Sequence, residues 1–309
     1  MSLCKSNCIG SPLSLPWWSK ENLKACKIFL LSSHVKSMLP LHGEFTYKPL
    51  YWEWLEDVFV RCTDKLTTFH LFDTLYASLF LYNRCSNLIR VVCEYWCSKT
   101  NTLHTSKGQA SLSIFNIYSF LRLSLSGRLY DEVVHNQREL TNKLPLSCTY
   151  LFTAYHKLMK SDQGNRIPHP GILSSIIDVI FDELGVAIGQ RTETFFAAFL
   201  FCWLCIFIFP VRDAGCIRPD TFNVASFMAL GPGYCLHTAT LASVYKGLNK
   251  ISRSSCPEVG GYFPAHFLYA WLAKNFDAYE LAGEASSSPG MVKFSGLGQV
   301  KSFLLEEAR

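Results

Sequence analysis

The sequence predicts a mainly α protein: a single large helical domain packed around a central buried apolar helix, with room for short strands. Three observations predict it. Apolar residues recur at steps of three and four along most of the chain. An uncharged run of 17 residues, Phe195 to Val211 (FFAAFLFCWLCIFIFPV), offers a helix apolar on every side. Of the 309 residues 49% are hydrophobic and 17% charged, which suits a large core and excludes a disordered chain.

Residues 1–44 read as an irregular N-terminal segment, with Pro12, Pro16 and a Trp17-Trp18 pair. A short helix is expected within it at Leu23 to Met38, and Pro40 and Gly43 punctuate its end. The main domain is expected over 45–281. Trp52, Leu55, Phe59, Cys62, Leu66 and Phe69 share one face of an amphipathic helix, with Glu53, Glu56, Asp57 and Lys65 opposite. Phe72, Leu75, Leu79 and Tyr82 repeat the step, with Asp73 as an acid favoured near a helix start. Leu88, Val91, Val92, Tyr95 and Trp96 give a third helix. Ser98 to Thr105 then reads as a polar turn, because hydroxyls and amides compete there for backbone hydrogen bonds.

Gln109 to Ile117 alternates in part, as a short strand or as the start of a helix running through Phe120. Gly127 breaks that pattern. A helix is expected at Tyr150 to Met159, and a loop at Asp162 to Gly171, the best internal boundary. Ile172 to Leu184 has a wide apolar helical face. The run 195–211 follows, then helices through Leu241, Val244, Leu248 and Ile251, and through Phe267, Trp271 and Leu272. Residues 282–309, rich in Ser and Gly at first, read as a mobile tail.

Charge narrows the function. The net charge is +5; residues 1–150 hold 16 Lys/Arg against 11 Asp/Glu, and residues 151–309 hold 13 of each. No consecutive basic run appears, so contact with nucleic acid is expected to be indirect. The 13 cysteines are irregularly spaced in apolar surroundings and read as reduced thiols. Residues Met1 to Gly10 lack the apolar core of a secretory signal. The run 195–211 stands at the lower length limit for a membrane span. Pro210 near its end and the other apolar helices favour a core helix instead.

The candidate chemistry centres on Trp96 to Thr105, where Cys97, Lys99, Asn101 and His104 lie among hydroxyls. Zinc needs four ligands, but Cys93-x3-Cys97 with His104 finds no second pair, and Cys4-x3-Cys8 and Cys202-x2-Cys205 are isolated. Cys97 and His104 would make a thiolate–imidazole pair if the turn folds back, without an orienting acid in sequence. Gly231-x-Gly233 and Gly296-x-Gly298 lack the Lys-Ser/Thr of a phosphate loop. Lys246 lacks the companions of a pyridoxal-phosphate lysine and reads as exposed. Asp131-Glu132 and Asp182-Glu183 are adjacent acids whose side chains diverge. Neither metal nor cofactor is expected.

Several segments in consistent order, over roughly residues 45–309, resemble the C-type plant mobile domain. They include Tyr51-Trp-Glu-Trp-Leu-Glu-Asp57, Asp73 to Leu79, Trp96-Cys-x-x-Thr-Asn-Thr-Leu-His-Thr105 and Tyr130-Asp131-Glu132. Further along are Ser147 to His156, Val179 to Gly185, Ala197 to Phe209, Ile217-Arg-Pro-x-Thr-Phe222, Ala242-Ser-Val-Tyr-x-Gly-Leu-Asn249 and Met291 to Gly296. Proteins with this domain often carry the label "aminotransferase-like", an activity that the residues do not support. The resemblance implies a nuclear, non-enzymatic role in transposon silencing, genome integrity and meristem maintenance. Some relatives fuse the domain to a phosphoprotein phosphatase; this chain lacks that enzyme's metal motifs and is expected to act beside such a partner.

The resemblance marks Trp96, Asn101, Thr102, His104, Thr105, Tyr130, Asp131 and Glu132 as the motif residues of a polar turn. Gln109 and Asn116 stand where the family usually has acids, and Leu121-Arg122-Leu123-Ser124 replaces its Gly-Leu-Pro turn. With an end at Glu307-Ala308-Arg309, short of where relatives continue, this implies a diverged copy, transposon-borne or weakly constrained. The expected function is therefore a nuclear interaction protein. Two alternatives stand beside it: a membrane-anchored protein using 195–211, and an enzyme using Cys97 and His104.

Overall fold

The computed structural model describes residues 51–82, 85–136, 139–140, 144–161, 181–210, 218–231, 233–253, 263–276 and 290–295. The helix expected at Leu23 to Met38, the boundary loop at Asp162 to Gly171 and most of the face from Ile172 to Leu184 lie outside the described residues. Every described residue belongs to one unit, Leu41–Arg309. The fold is mainly α, as the periodicity predicts.

Helix α1 (Tyr51–Arg61) buries Tyr51, Trp52, Trp54, Leu55 and Val58 on one face. Its outer edge carries Arg61 and Asp57 one turn apart, paired at 2.9 Å. The amphipathic helix expected to run to Phe69 is interrupted at Cys62, and α2 (Thr63–Thr68) is a separate short helix. The reason is local. The Thr63 hydroxyl donates to Phe59 O and the Thr67 hydroxyl to Thr63 O, bonds that disturb a helix rich in β-branched residues. His70 then ends the segment with φ 55°.

Helix α3 (Phe72–Ala77) is shorter than its apolar pattern, and Leu79 and Tyr82 are buried beyond its end. Helix α4 (Ser86–Tyr95) leads directly into three antiparallel strands: β1 (Trp96–Cys97), β2 (Thr102–Thr105) and β3 (Gly108–Ala110). Trp96 faces Leu103, and Leu103 faces Ala110. Of the polar turn expected at Ser98 to Thr105, only Ser98 to Asn101 is a turn; Thr102 to Thr105 is the middle strand of a small meander. Strands of two to four residues are too short to show a period in sequence.

Helix α5 (Ile114–Leu121) begins with a capping box. Asn116 N–H donates to Ser113 Oγ at 3.3 Å, and Ser113 N–H donates to Asn116 Oδ1 at 2.9 Å. Asn116, where the resemblance leads one to expect an acid, therefore still does the work of a cap. The helix ends at Arg122 with φ 55°, a left-handed position that glycine adopts without strain.

Strand β4 (Arg128–Leu129) pairs in parallel with β5 (Tyr234–Cys235). Gly127 makes this approach possible: its φ is +136°, and a Cβ there would lie 2.0 Å from Gly233 O.

The core is built on α7 (Ile188–Trp203), extended by one wide turn at Leu204–Ile208. Residues Thr194 to Phe209 are all buried, while Ile188 at the start is 85% exposed. Helix α6 (Leu146–Ser161), α8 (Phe222–Leu230) and α1 pack around it. Phe199 stacks on Tyr51 at 5.5 Å, and Phe201 meets Phe222 edge-on at 4.8 Å. The helix Ile188–Ile208 is long and apolar enough to cross a membrane, but 83% of its most apolar window is buried inside this protein.

Helices α9 (Leu236–Ser252) and α10 (Ala265–Asn275) complete the unit. They come close where a Cβ on Gly247 would lie 2.4 Å from the Phe263 ring. Part of the Ser/Gly-rich stretch after residue 282 is packed: Gly290–Phe294 forms a 3-10 turn against α3, α5 and α10, with Met291 and Val292 buried.

Candidate functional site

Two polar clusters stand out: one is held by the C-terminal end of α9, and the other follows β4, which pairs with β5 just before α9. The 17 residues of α9 span about 25 Å at 1.5 Å per residue.

At the C-terminal end, α9 clasps the β1–β3 meander. Trp96 Nε1 donates to Asn249 Oδ1 at 2.7 Å, and Asn249 Nδ2 donates to Asn101 Oδ1 at 2.9 Å. Asn249 thus uses both ends of its amide to bridge two residues of the meander. Asn101 closes the turn with φ 55°, a conformation Asn tolerates better than most residues, and its N–H donates to Cys97 O at 2.8 Å. Ser111 Oγ donates to Asn101 O at 2.8 Å and lies 2.8 Å from the Tyr245 hydroxyl, which donates to Leu112 O. The rings of Trp96 and Tyr245 are 5.7 Å apart. Arg253 Nε donates to Ser98 Oγ at 3.0 Å.

Above the clasp lies an open groove of about 710 Å³, lined by Asn101, Ala242, Tyr245, Lys246, Asn249, Lys250 and Arg253.

Cys97 sits in the same turn, part-exposed. The Thr100 hydroxyl, the backbone N–H groups of Thr100 and Lys99, and the His104 side chain draw its thiol down to about 6. The turn therefore does fold back and bring Cys97 to His104. Such a thiol is ionised at neutral pH and is a competent nucleophile. Among the described residues no hydrogen bond joins a carboxylate to His104. Thr102 and Thr105 serve the turns instead: Thr102 Oγ1 lies 2.7 Å from Thr100 Oγ1, and Thr105 Oγ1 donates to Gly108 O at 2.8 Å.

The other cluster lies toward the N-terminal end of α9, beyond β5 and β4. Tyr130 donates to Glu132 Oε1 at 3.1 Å, and its ring lies 4.3 Å from that of Phe209. Burial, with Glu132 adding to it, pushes the Tyr130 phenol well up. Arg218, only 15% exposed at its side chain, pairs with Glu132 and Asp220, each at 2.6 Å. It also donates to Phe209 O at 3.2 Å. Asp131 is exposed.

The eight motif residues are thus not one site. Trp96, Asn101, Thr102, His104 and Thr105 belong to the meander; Tyr130 and Glu132 belong to the Arg218 cluster. Sequence reasoning gave no role to Asn249, Tyr245, Arg253, Arg218 or Asp220; Asn249, Tyr245 and Arg218 entered only inside the family motifs. A signal was present for the first three: Tyr245, Asn249 and Arg253 recur at steps of four, polar residues on one helix face.

The family model described as "Plant mobile domain" matches residues 70–303. That span holds both clusters and all of α9, and it starts after α1. No curated protein and no solved structure matches the chain. Most of the chain, with both polar clusters, lies within the matched span, and the chain belongs to the plant mobile domain family.

Proposed function

We propose that this protein is a non-enzymatic interaction protein of the nucleus, acting in transposon silencing, genome integrity and meristem maintenance. The observation that carries the reading is the engagement of the meander's polar residues. Asn101, Trp96, Ser98 and Ser111 bond to α9, and Thr100, Thr102 and Thr105 bond within the turns. A network of this kind fixes a surface. The burial of the helix Ile188–Ile208 supports a domain that works in water over a membrane anchor. Partners are proteins, a phosphoprotein-phosphatase-like protein among them.

Affinity capture of the full chain from plant nuclei tests the reading. A phosphatase-like partner in the nuclear fraction is the expected result. Partition of the full chain into the integral-membrane fraction would overturn it, and so would loss of function in a Cys97→Ala variant that keeps its partner and its stability.

A further inference from the structure

We infer that the groove over the α9–meander clasp binds the phosphate backbone of duplex nucleic acid, independently of base sequence. The inference goes beyond the proposed role and does not depend on it.

The first argument is charge. Residues 96–113 and 236–253 together carry Lys99, Lys107, Lys246, Lys250 and Arg253 and no Asp or Glu. All five cations are exposed. Arg253 is held by neutral partners, Ser98 Oγ and Ser98 O. Among the described residues, Lys246 and Lys250 make no ion pair. Glu94, just before the meander, pairs with Arg90 at 3.7 Å. Elsewhere in the domain Arg61, Arg122, Arg191 and Arg218 each have a carboxylate. Three of the five, Lys246, Lys250 and Arg253, line the groove, and exposed cations in acid-free segments create a field that attracts a polyanion.

The second argument is spacing. Lys246, Lys250 and Arg253 follow one another at i, i+4 and i+7, on one helix face. They cover about 10 Å of the α9 axis at 1.5 Å per residue. One strand of a duplex presents a phosphate about every 3.4 Å of axis, so the row faces about three phosphates.

The third argument is the kind of donor. Asn101 Oδ1 accepts from Asn249, which leaves the Asn101 amide N–H₂ to donate into the groove. Apart from Ala242, every lining residue carries a polar or charged group, on stems and a Tyr245 ring that leave most of the groove's surface apolar. The Leu, Ile, Phe or Met anchors that seat a peptide are missing from the lining. Lysines act as point charges, which suits a backbone and reads no base.

The test uses the full chain and a short fluorescein-labelled DNA duplex, followed by anisotropy over a salt series. Three neutralised phosphates predict a slope of about −2.7 in log K against log salt, and about a 40-fold loss of affinity from 50 to 200 mM salt. Lys246→Ala with Lys250→Ala is expected to flatten the slope by about 2. Lys246→Arg with Lys250→Arg is expected to restore it. Both lysines are exposed, so an unchanged thermal midpoint checks the fold. Absence of binding at low salt, or an unchanged slope in the double alanine variant, would overturn the inference. Tighter groove-dependent binding of labelled polyglutamate than of the duplex would also overturn it, in favour of an acidic protein partner.

Discussion

The two ends of α9 solve opposite problems with charge. Toward its N-terminal end, Arg218 meets two carboxylates, Glu132 and Asp220, beside the Tyr130 ring packed on Phe209. At the C-terminal end, Lys246, Lys250 and Arg253 line an open groove with Asn101 and Asn249. A charge that is little exposed is costly unless it is matched, so the first end is a staple within the fold. Exposed cations without acids contribute little to folding and stay available to a partner. The fold therefore sets a closed, neutralised cluster beside the start of α9 and an open, charged groove along its other end.

The largest effect is expected from breaking the closed end. Arg218→Ala leaves Asp220 without its cation and should cost about 3 kcal/mol in chemical denaturation. Arg218→Lys should recover less than half of that, because an ammonium cannot fork onto Asp220 as a guanidinium does. Lys246→Ala, at the open end, should change stability by less than about 0.5 kcal/mol. Equal losses from the two substitutions would erase the distinction.

Acid should also act through the closed end. His237, at the start of α9, is fully buried, and burial pushes it down to about 4. An unfolded His titrates near 6.5, so the unfolded chain binds the extra proton as pH falls from about 6.5 to about 4. Stability is present above that window and is lost on descending through it. His237→Phe should reduce the acid-side slope of the thermal midpoint. His266, pushed down to about 3 by burial, should keep part of it.

A smaller, stabilising effect is expected at Arg122. Its φ of 55° suits glycine, and its pairing with Asp73 at 3.6 Å is exposed. Arg122→Gly should therefore stabilise the fold by about 1 kcal/mol, read by urea denaturation. A loss would show that the ion pair matters more than the backbone conformation.

The least effect on stability is expected at Cys97. Its alkylation by iodoacetamide should be half-maximal near pH 6, the value that the Thr100 and Lys99 donors and His104 give it. Thr100→Val removes the largest of these donors and should move that midpoint upward.

Much of this fold was legible in the sequence because helices write their burial at steps of three and four. The central helix stood out as an uncharged run, and α4, α9 and α10 as apolar faces. The meander was not legible, since two-residue strands such as Trp96–Cys97 leave no alternation to read. Half of the site was visible as the clustered polar residues after Trp96. Its other half lies some 150 residues later, where Asn249 and Tyr245 look like ordinary polar positions on a helix. The basic groove leaves no run of consecutive Lys and Arg because its cations, Lys246, Lys250 and Arg253, are spaced by turns of one helix.

The central claim is that the polar turn is a clasp whose amides hold the meander to α9. A double-mutant cycle on Asn101 and Asn249 tests it most directly. Asn249→Ala leaves Trp96 Nε1 and Asn101 Oδ1 without their partner and should cost about 2 kcal/mol in chemical denaturation. The two alanine substitutions should couple by about 1 kcal/mol. Unchanged stability with additive effects would contradict the clasp and return the turn's polar residues to a direct part in chemistry.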